Sequence, residues 1–386
     1  MLKSIPIAKY FEIQSQEYVY LKLIPSKSIR NNRTYSILDL VNKININKLI
    51  KIEDNKLIIR TQLKASYYIH ITKEKINFYF IVPKLFYSKF RVKFKEIWKS
   101  VEIKEVNSIP IITGSQYQLI YKNKDFLSTS TDMRNNDLLS ANLSAVELLQ
   151  DGEEAGILYN FIPTSEKESN YFRSNTYPRA IQRYKNGENL KKSKNIKDLS
   201  VIALKNFISH INDLLNCILN VPQNNQLILN PLQYEISPST KRKGEKAICQ
   251  NQSIILAKSN EKSRENELSN AFSNTFKVIN DNNELIINEI TKNIDIKKTI
   301  INHVNVNKTT IEECSNFISM PSLEVINQFK MIEHNKCLEL KAPKCLEDGE
   351  IRIGTVKNKE NKQEVYYSMD EQMKRLGRVL LGSMGS

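Results

Sequence analysis

Along the first stretch of the chain, apolar positions switch between a period of two and a helical period. Tyr18-Val-Tyr-Leu-Lys-Leu-Ile24 is strand-like, whereas Ile37, Leu38, Val41 and Ile44 recur at helical spacing within Tyr35 to Ile44. Leu57 to Arg60, Ala65 to Ile71 and Ile76 to Val82 predict a β-meander, with Thr72-Lys-Glu-Lys75 as the turn between the last two. Lys84 to Trp98 then predicts a helix, with Trp98 as a core residue at its end, and Val101 to Val106 an extended segment.

That order approaches β-α-β-β-α-β, the split unit of ferredoxin-like folds. A second small α/β unit opens near Gln116. Tyr117 to Tyr121 predicts a strand, Asp137 to Leu149 a helix, and Gly156 to Ile162 a strand closed by Pro163. Asn186 to Lys197 is rich in Lys and Asn and predicts a solvated loop, and Leu199 to Leu219 a helix with a broad apolar face. Pro222 to Pro238 predicts a loop, and Thr240 to Gln250 and Ser259 to Val278 predict helices on either side of Ser253-Ile-Ile-Leu-Ala257. The Asn, Lys and Ile-rich run Asp281 to Thr310 sets no element. Leu338 to Val379 predicts short strands with turns at Asp348-Gly349 and Asn358 to Asn361. The expected class is α+β in four regions: a ferredoxin-like α/β domain (1–112), a second α/β unit with a long helix (113–221), a helical, loop-rich region (222–337), and a β-rich lead-in to a P-loop (338–386).

Composition is consistent with this. A chain of 386 residues, 40% hydrophobic, can bury two or three cores. Fifty-seven Lys and Arg against forty-two Asp and Glu leave a charge of +15, a field that attracts nucleic acid, anionic lipid or an acidic partner. The Lys, Asn and Ile bias of an AT-rich genome would raise that charge without selection for binding. The odd set Cys217, Cys249, Cys314, Cys337 and Cys345 has no C-x-x-C pair, which favours a reducing, cytoplasmic compartment and no zinc. The longest apolar run, Val201 to Leu219, carries Lys205, His210, Asn212 and Asp213, so no transmembrane anchor is expected.

The pattern that carries chemistry is at the end. Arg378-Val-Leu-Leu381 is a short apolar run that delivers into Gly382-Ser-Met-Gly-Ser386. A P-loop reads G-x-x-x-x-G-K-[ST], and Gly382, Ser383, Met384, Gly385 and Ser386 supply its first five positions. Gly382 and Gly385 let backbone N–H groups approach a pyrophosphate with no Cβ in the way. A flexible Gly and Ser tail is the alternative reading of the same residues.

With these residues the chain resembles the conjugative coupling proteins and type IV secretion ATPases of the HerA/FtsK-like P-loop class. The resemblance rests on Ile353-Gly354, Val365-Tyr-Tyr367, Asp370 and Val379 to Ser386 as a β-rich lead-in to Walker A, and on Ile76 to Pro83 with Val101 to Val106 as an N-terminal α/β domain. Ser144 to Leu149, Gly152-Glu153 and Gly156 to Pro163 are similar to a helix, turn and strand of the family, and Ser315 to Pro321 with Leu323-Glu324 to an element ahead of the motor. It implies ATP and Mg as cofactors of the intact protein, and ATP-driven movement of DNA or protein. It also implies conjugation or secretion-channel partners, a homo-hexameric ring, and a place at the inner face of the membrane. The Walker A Lys, Walker B acid and any Arg finger would follow Ser386, so this chain is expected not to turn over ATP.

Other chemistry is sparse. His70, His210, His303 and His334 are scattered and none forms a metal-spacing pair, and no G-x-S-x-G elbow is present. Lys191, Lys192 and Lys194, with Lys197, and Lys241, Arg242 and Lys243 are basic clusters. Tyr171, Phe172, Tyr177 and Tyr184 intersperse aromatics among Arg173, Arg179 and Arg183, a composition able to track a nucleic-acid backbone. Solvated faces with inward-packed aromatics are the alternative. Two functions therefore stand: the front region of an ATP-driven translocase, or a non-enzymatic basic adaptor of a mobile element that binds DNA or a channel partner.

Overall fold

The computed structural model describes residues 11–14, 17–44, 50–53, 56–60, 63–132, 137–186, 235–290, 305–335, 346–358 and 361–368. The expected loop at Asn186 to Lys197 and the helix at Leu199 to Leu219 lie, past Asn186, outside them. So do Gly382 to Ser386, and Lys191, Lys192 and Lys194. The chain is mixed α and β and divides into one compact unit up to His334 and a second from Asn335 on. Among the described residues no helix is long and apolar enough to cross a membrane.

In chain order the first part of the large unit contains β1 (Phe11–Gln14), β2 (Tyr18–Ile24), α1 (Tyr35–Lys43), β3 (Ile50–Glu53), β4 (Lys56–Arg60), β5 (Ala65–Thr72), β6 (Ile76–Pro83), α2 (Tyr87–Ile97) and β7 (Glu102–Val106). The strands and helices expected over residues 18–106 are present, with one correction. Leu57 to Arg60 does not continue a meander into β5. As β4, it pairs in parallel with β1 and antiparallel with β3 in a separate three-stranded sheet.

The next part holds β8 (Ser115–Tyr121), α3 (Leu138–Ser144), β9 (Glu154–Ile162), α4 (Glu166–Tyr171), α5 (Tyr177–Lys185), α6 (Pro238–Lys243), β10 (Ile248–Lys258), α7 (Lys262–Thr275), β11 (Leu285–Glu289), β12 (Asn307–Thr310), α8 (Ile311–Ser315) and α9 (Leu323–Gln328). Thr240 to Gln250 is a helix only to Lys243, and Ser253 to Ala257 is the middle of the 11-residue β10. Nearly every β10 side chain is buried, because neighbours flank the strand on both edges and cores lie on both faces, so its apolar run does not alternate.

The large sheet runs β11-β8-β10-β9-β5-β6-β2-β7, with β12 beside the first half of β10. Its two halves have the same design. In β2-α1-β5-β6-α2-β7 the spatial order is β5, β6, β2, β7, and in β8-α3-β9-β10-α7-β11 it is β9, β10, β8, β11. Each half is thus a split βαββαβ arrangement with antiparallel neighbours. The second strands of the two halves, β5 and β9, pair antiparallel at the centre, so the connectivity has an approximate twofold relation. Tyr67 and Tyr159 face each other across this seam with rings stacked 6.4 Å apart.

All four crossover helices bury their apolar stripe on one face of the sheet, in a single cluster that includes Ile37, Leu38, Phe90, Phe94, Leu143, Leu268 and Phe272. Trp98 is buried at the end of α2, its indole N–H donating to Asn31 Oδ1 at 3.2 Å. The segment from α8 to Ile332 clasps both halves. Ser319 O accepts from Tyr67 at 2.6 Å, Phe317 stacks on Tyr159 at 5.0 Å, and Met320 N donates to Asn31 at 3.0 Å. The turn before β9 uses Gly152 at φ 84°, a left-handed conformation that costs glycine little. In the second unit, β13 (Ile351–Asn358) and β14 (Asn361–Tyr367) form an antiparallel hairpin whose register shifts between Arg352 and Gly354.

Candidate nucleic-acid interface

Residues 166–185 form one helical rod, and its sequence explains its shape. Ser165 caps the start, its hydroxyl accepting from Glu168 N at 3.2 Å, and Glu166 and Glu168 place negative charge at the positive end of the helix dipole. Pro178 has no N–H for the carbonyl four residues back, and its ring crowds that carbonyl. Just before it, the chain takes a wider π turn over Phe172–Thr176.

The rod has a clear inside and outside. Phe172, Tyr177, Ala180, Ile181 and Tyr184 pack against Phe126, Leu127 and Ile248. Tyr177 donates its hydroxyl to Thr240 O at 2.7 Å, and burial pushes its pKa up to about 12, with help from nearby Glu245. Gly244 lies against this ring; a Cβ there would sit 2.3 Å from Tyr177 Cε1, so glycine sets how closely the α6 end approaches α5. Arg173 ties the rod to the same turn by donating to Glu245 O at 3.2 Å.

On the outside, Tyr171, Asn175, Arg179 and Arg183 follow one another at intervals of four and line a groove of ≈ 520 Å³ with Lys124 and Lys308. Tyr171 is 62% exposed, and Arg179, Arg183 and Lys124 are exposed as well. Lys308 pairs with Glu168 at 2.9 Å, and Gln250 donates to the same carboxylate at 3.3 Å. The lining has four cationic side chains and two anionic ones, Glu168 and Asp125.

The cluster on α6 separates by helix phase. Lys241 is exposed. Arg242 is exposed but pairs with Glu312 at 3.6 Å, as does Lys246 at 3.0 Å, beside a second groove of ≈ 680 Å³. Lys243, expected among the nucleic-acid contacts, is instead completely buried, 3.0 Å from Glu313, which is buried too. The Glu313 carboxylate also accepts from Tyr121 Oη at 2.8 Å, Thr129 N at 3.0 Å and Thr310 N at 2.7 Å, while Lys243 donates to Leu127 O at 3.2 Å and lies 4.9 Å from the centre of the Tyr121 ring. Burial, then the Glu313 charge, raises the Tyr121 pKa well above its ordinary value, so the phenol stays a donor. This ammonium is a structural pin, with no surface to offer a phosphate.

His70 is buried on the opposite face of the sheet, its Nε2 3.2 Å from Glu154, which also pairs with Lys258 at 2.6 Å. Burial holds the His70 pKa below the usual value against the pull of Glu154. Cys249 and Cys314 are buried and unbridged. Among the described residues no group of three His, Cys, Asp or Glu is placed to hold a metal ion.

Lys124 and Lys308 escaped sequence reasoning because they come from separate loops and strands. The four-residue ladder from Tyr171 to Arg183 is visible in the sequence and is the signal that could have located the groove. The chain matches no protein-family model and no curated protein.

Proposed function

We propose that the large unit is a non-enzymatic nucleic-acid-binding module of a DNA-handling assembly of a mobile element. The observation that carries this is the groove beside α4 and α5, where Arg179 and Arg183 from one helix meet Lys124 and Lys308 from elsewhere around an exposed tyrosine. Cations brought together from distant parts of a +15 chain, with aromatic surface among them, match the demands of a polyphosphate chain carrying bases.

The narrower reading adds an ATP-driven translocase motor after this module. Its support is the sequence of Arg378 to Ser386, and the split βαββαβ order of both halves is the arrangement expected of the α/β units in that reading. In that reading Gly382 and Gly385 shape a phosphate loop for ATP and Mg, and the partners are DNA and channel proteins.

Fluorescence anisotropy of labelled DNA titrated with the 386-residue chain at low salt tests the binding module. Saturable binding that weakens steeply as salt rises is expected. Its absence at low salt would sink the proposal.

A further inference from the structure

We propose that the groove beside Tyr171 takes a segment of single-stranded nucleic acid, with one base stacked on the Tyr171 ring and its phosphates on Arg179 and Arg183. This rests on the nucleic-acid reading above and narrows it to a strand whose bases are free of pairing.

Tyr171 itself is the first reason. The other three aromatics of the rod, Phe172, Tyr177 and Tyr184, turn inward to the cluster around Phe126, yet Tyr171 leaves most of its ring in water, and its hydroxyl has no partner among the described residues. Among the described residues Tyr171 belongs to no apolar cluster, whereas a nucleobase would cover its exposed ring. Stacking on an exposed ring needs no particular base, since every base has a π face.

Alignment is the second reason. The π turn at Phe172–Thr176 lies between Tyr171 and the arginines, and the wider turn keeps Tyr171, Asn175, Arg179 and Arg183 along the same groove. Arg179 and Arg183 are one turn apart, ~5–6 Å at their Cβ atoms, a spacing that suits successive phosphates. Asn175 lies between ring and guanidinium, where an amide can meet a base edge or a sugar.

Size and charge are the third. A groove of ≈ 520 Å³ has the volume of a site for a nucleotide-sized ligand, such as one unpaired base with its flanking phosphate. The Glu168 carboxylate is already matched by Lys308 and Gln250, so Arg179 and Lys124 supply the surplus positive charge. A flat acidic peptide would use the cations but would leave the aromatic ring uncovered.

The test uses the full chain with a fluorescent dT oligonucleotide, the matching duplex, and polyglutamate as competitor. Tyr171→Ala is expected to weaken single-strand binding about five- to a hundredfold, the range that base stacking on one ring carries, and to leave duplex binding within twofold. Tyr171→Phe keeps the ring and is expected to retain binding. Tyr171→Trp is expected to show emission quenched by the oligonucleotide, against the constant signal of buried Trp98. Unchanged single-strand affinity in Tyr171→Ala, or no quenching in Tyr171→Trp, overturns the inference while duplex binding keeps the broader function alive. Polyglutamate competing as well as the oligonucleotide overturns it in favour of an acidic protein. Failure of the unaltered chain to bind either DNA form is the separate failure of the broader reading.

Discussion

Lys241 and Lys243 are two positions apart on one helix, yet one is exposed and the other sealed against Glu313. In sequence both are members of a basic run; only the helix phase and the distant strap that brings Glu313 distinguish them. Removing one member of a buried pair leaves the other as an uncompensated charge, so Lys243→Met is expected to cost about 3–5 kcal/mol of stability in denaturant titration. Lys241→Met is expected to leave stability within about 0.5 kcal/mol. Equal effects at the two positions would contradict the assignment. His70 gives a pH dependence whose sign follows from burial. Its folded pKa lies below the unfolded value of 6.5, so its contribution is complete above 6.5 and is lost as pH falls through the folded pKa. Glu154, its pKa lowered by Lys258 and His70 against the opposing effect of burial, loses its contribution in the same direction at lower pH. His70→Gln, which cannot titrate, is expected to flatten the dependence of Tm on pH just below 6.5, and a slope as steep as that of the unaltered chain would count against the buried histidine.

Elements were legible where the apolar periodicity is regular. The strand Tyr18–Ile24, the hairpin from Ala65 to Pro83 and the helices over Tyr35–Lys43 and Lys262–Thr275 follow from spacing alone. Ile248–Lys258 was harder, because a strand buried on both faces has no alternation and its apolar run abuts the helical Pro238–Lys243. The pairing of Lys56–Arg60 with Phe11–Gln14 was not legible, since nothing in a short apolar run states its partner. The rod from Glu166 to Lys185 makes a close approach to the end of α6, with Gly244 under Tyr177. Gly244→Ala forces the ring or the α6 end to move and is expected to cost about 1–3 kcal/mol, read in a chemical melt, with loss of single-strand affinity as α5 shifts. A neutral substitution would show that this contact does not position the groove.

Across the large unit, two halves of the same strand order share one sheet, and their helices share one core. The sequence divides near residue 112, but the pairing of Ala65–Thr72 with Glu154–Ile162 makes the two halves one framework, an outcome decided by pairing across about ninety residues. The groove lies on the second half, assembled from Lys124, the rod and Lys308, so it exists only when that half is folded. Its charge is therefore testable in the intact chain through counterion release. Salt dependence of single-strand binding should be compared between the unaltered chain and Arg179→Glu with Arg183→Glu. Each lost phosphate contact lowers the slope of log K against log salt by about 0.7, so the account predicts a slope shallower by roughly 1.4 and affinity at least ~10-fold weaker. An identical slope and affinity in the double variant would contradict the account, because the strand would then be bound somewhere other than this groove.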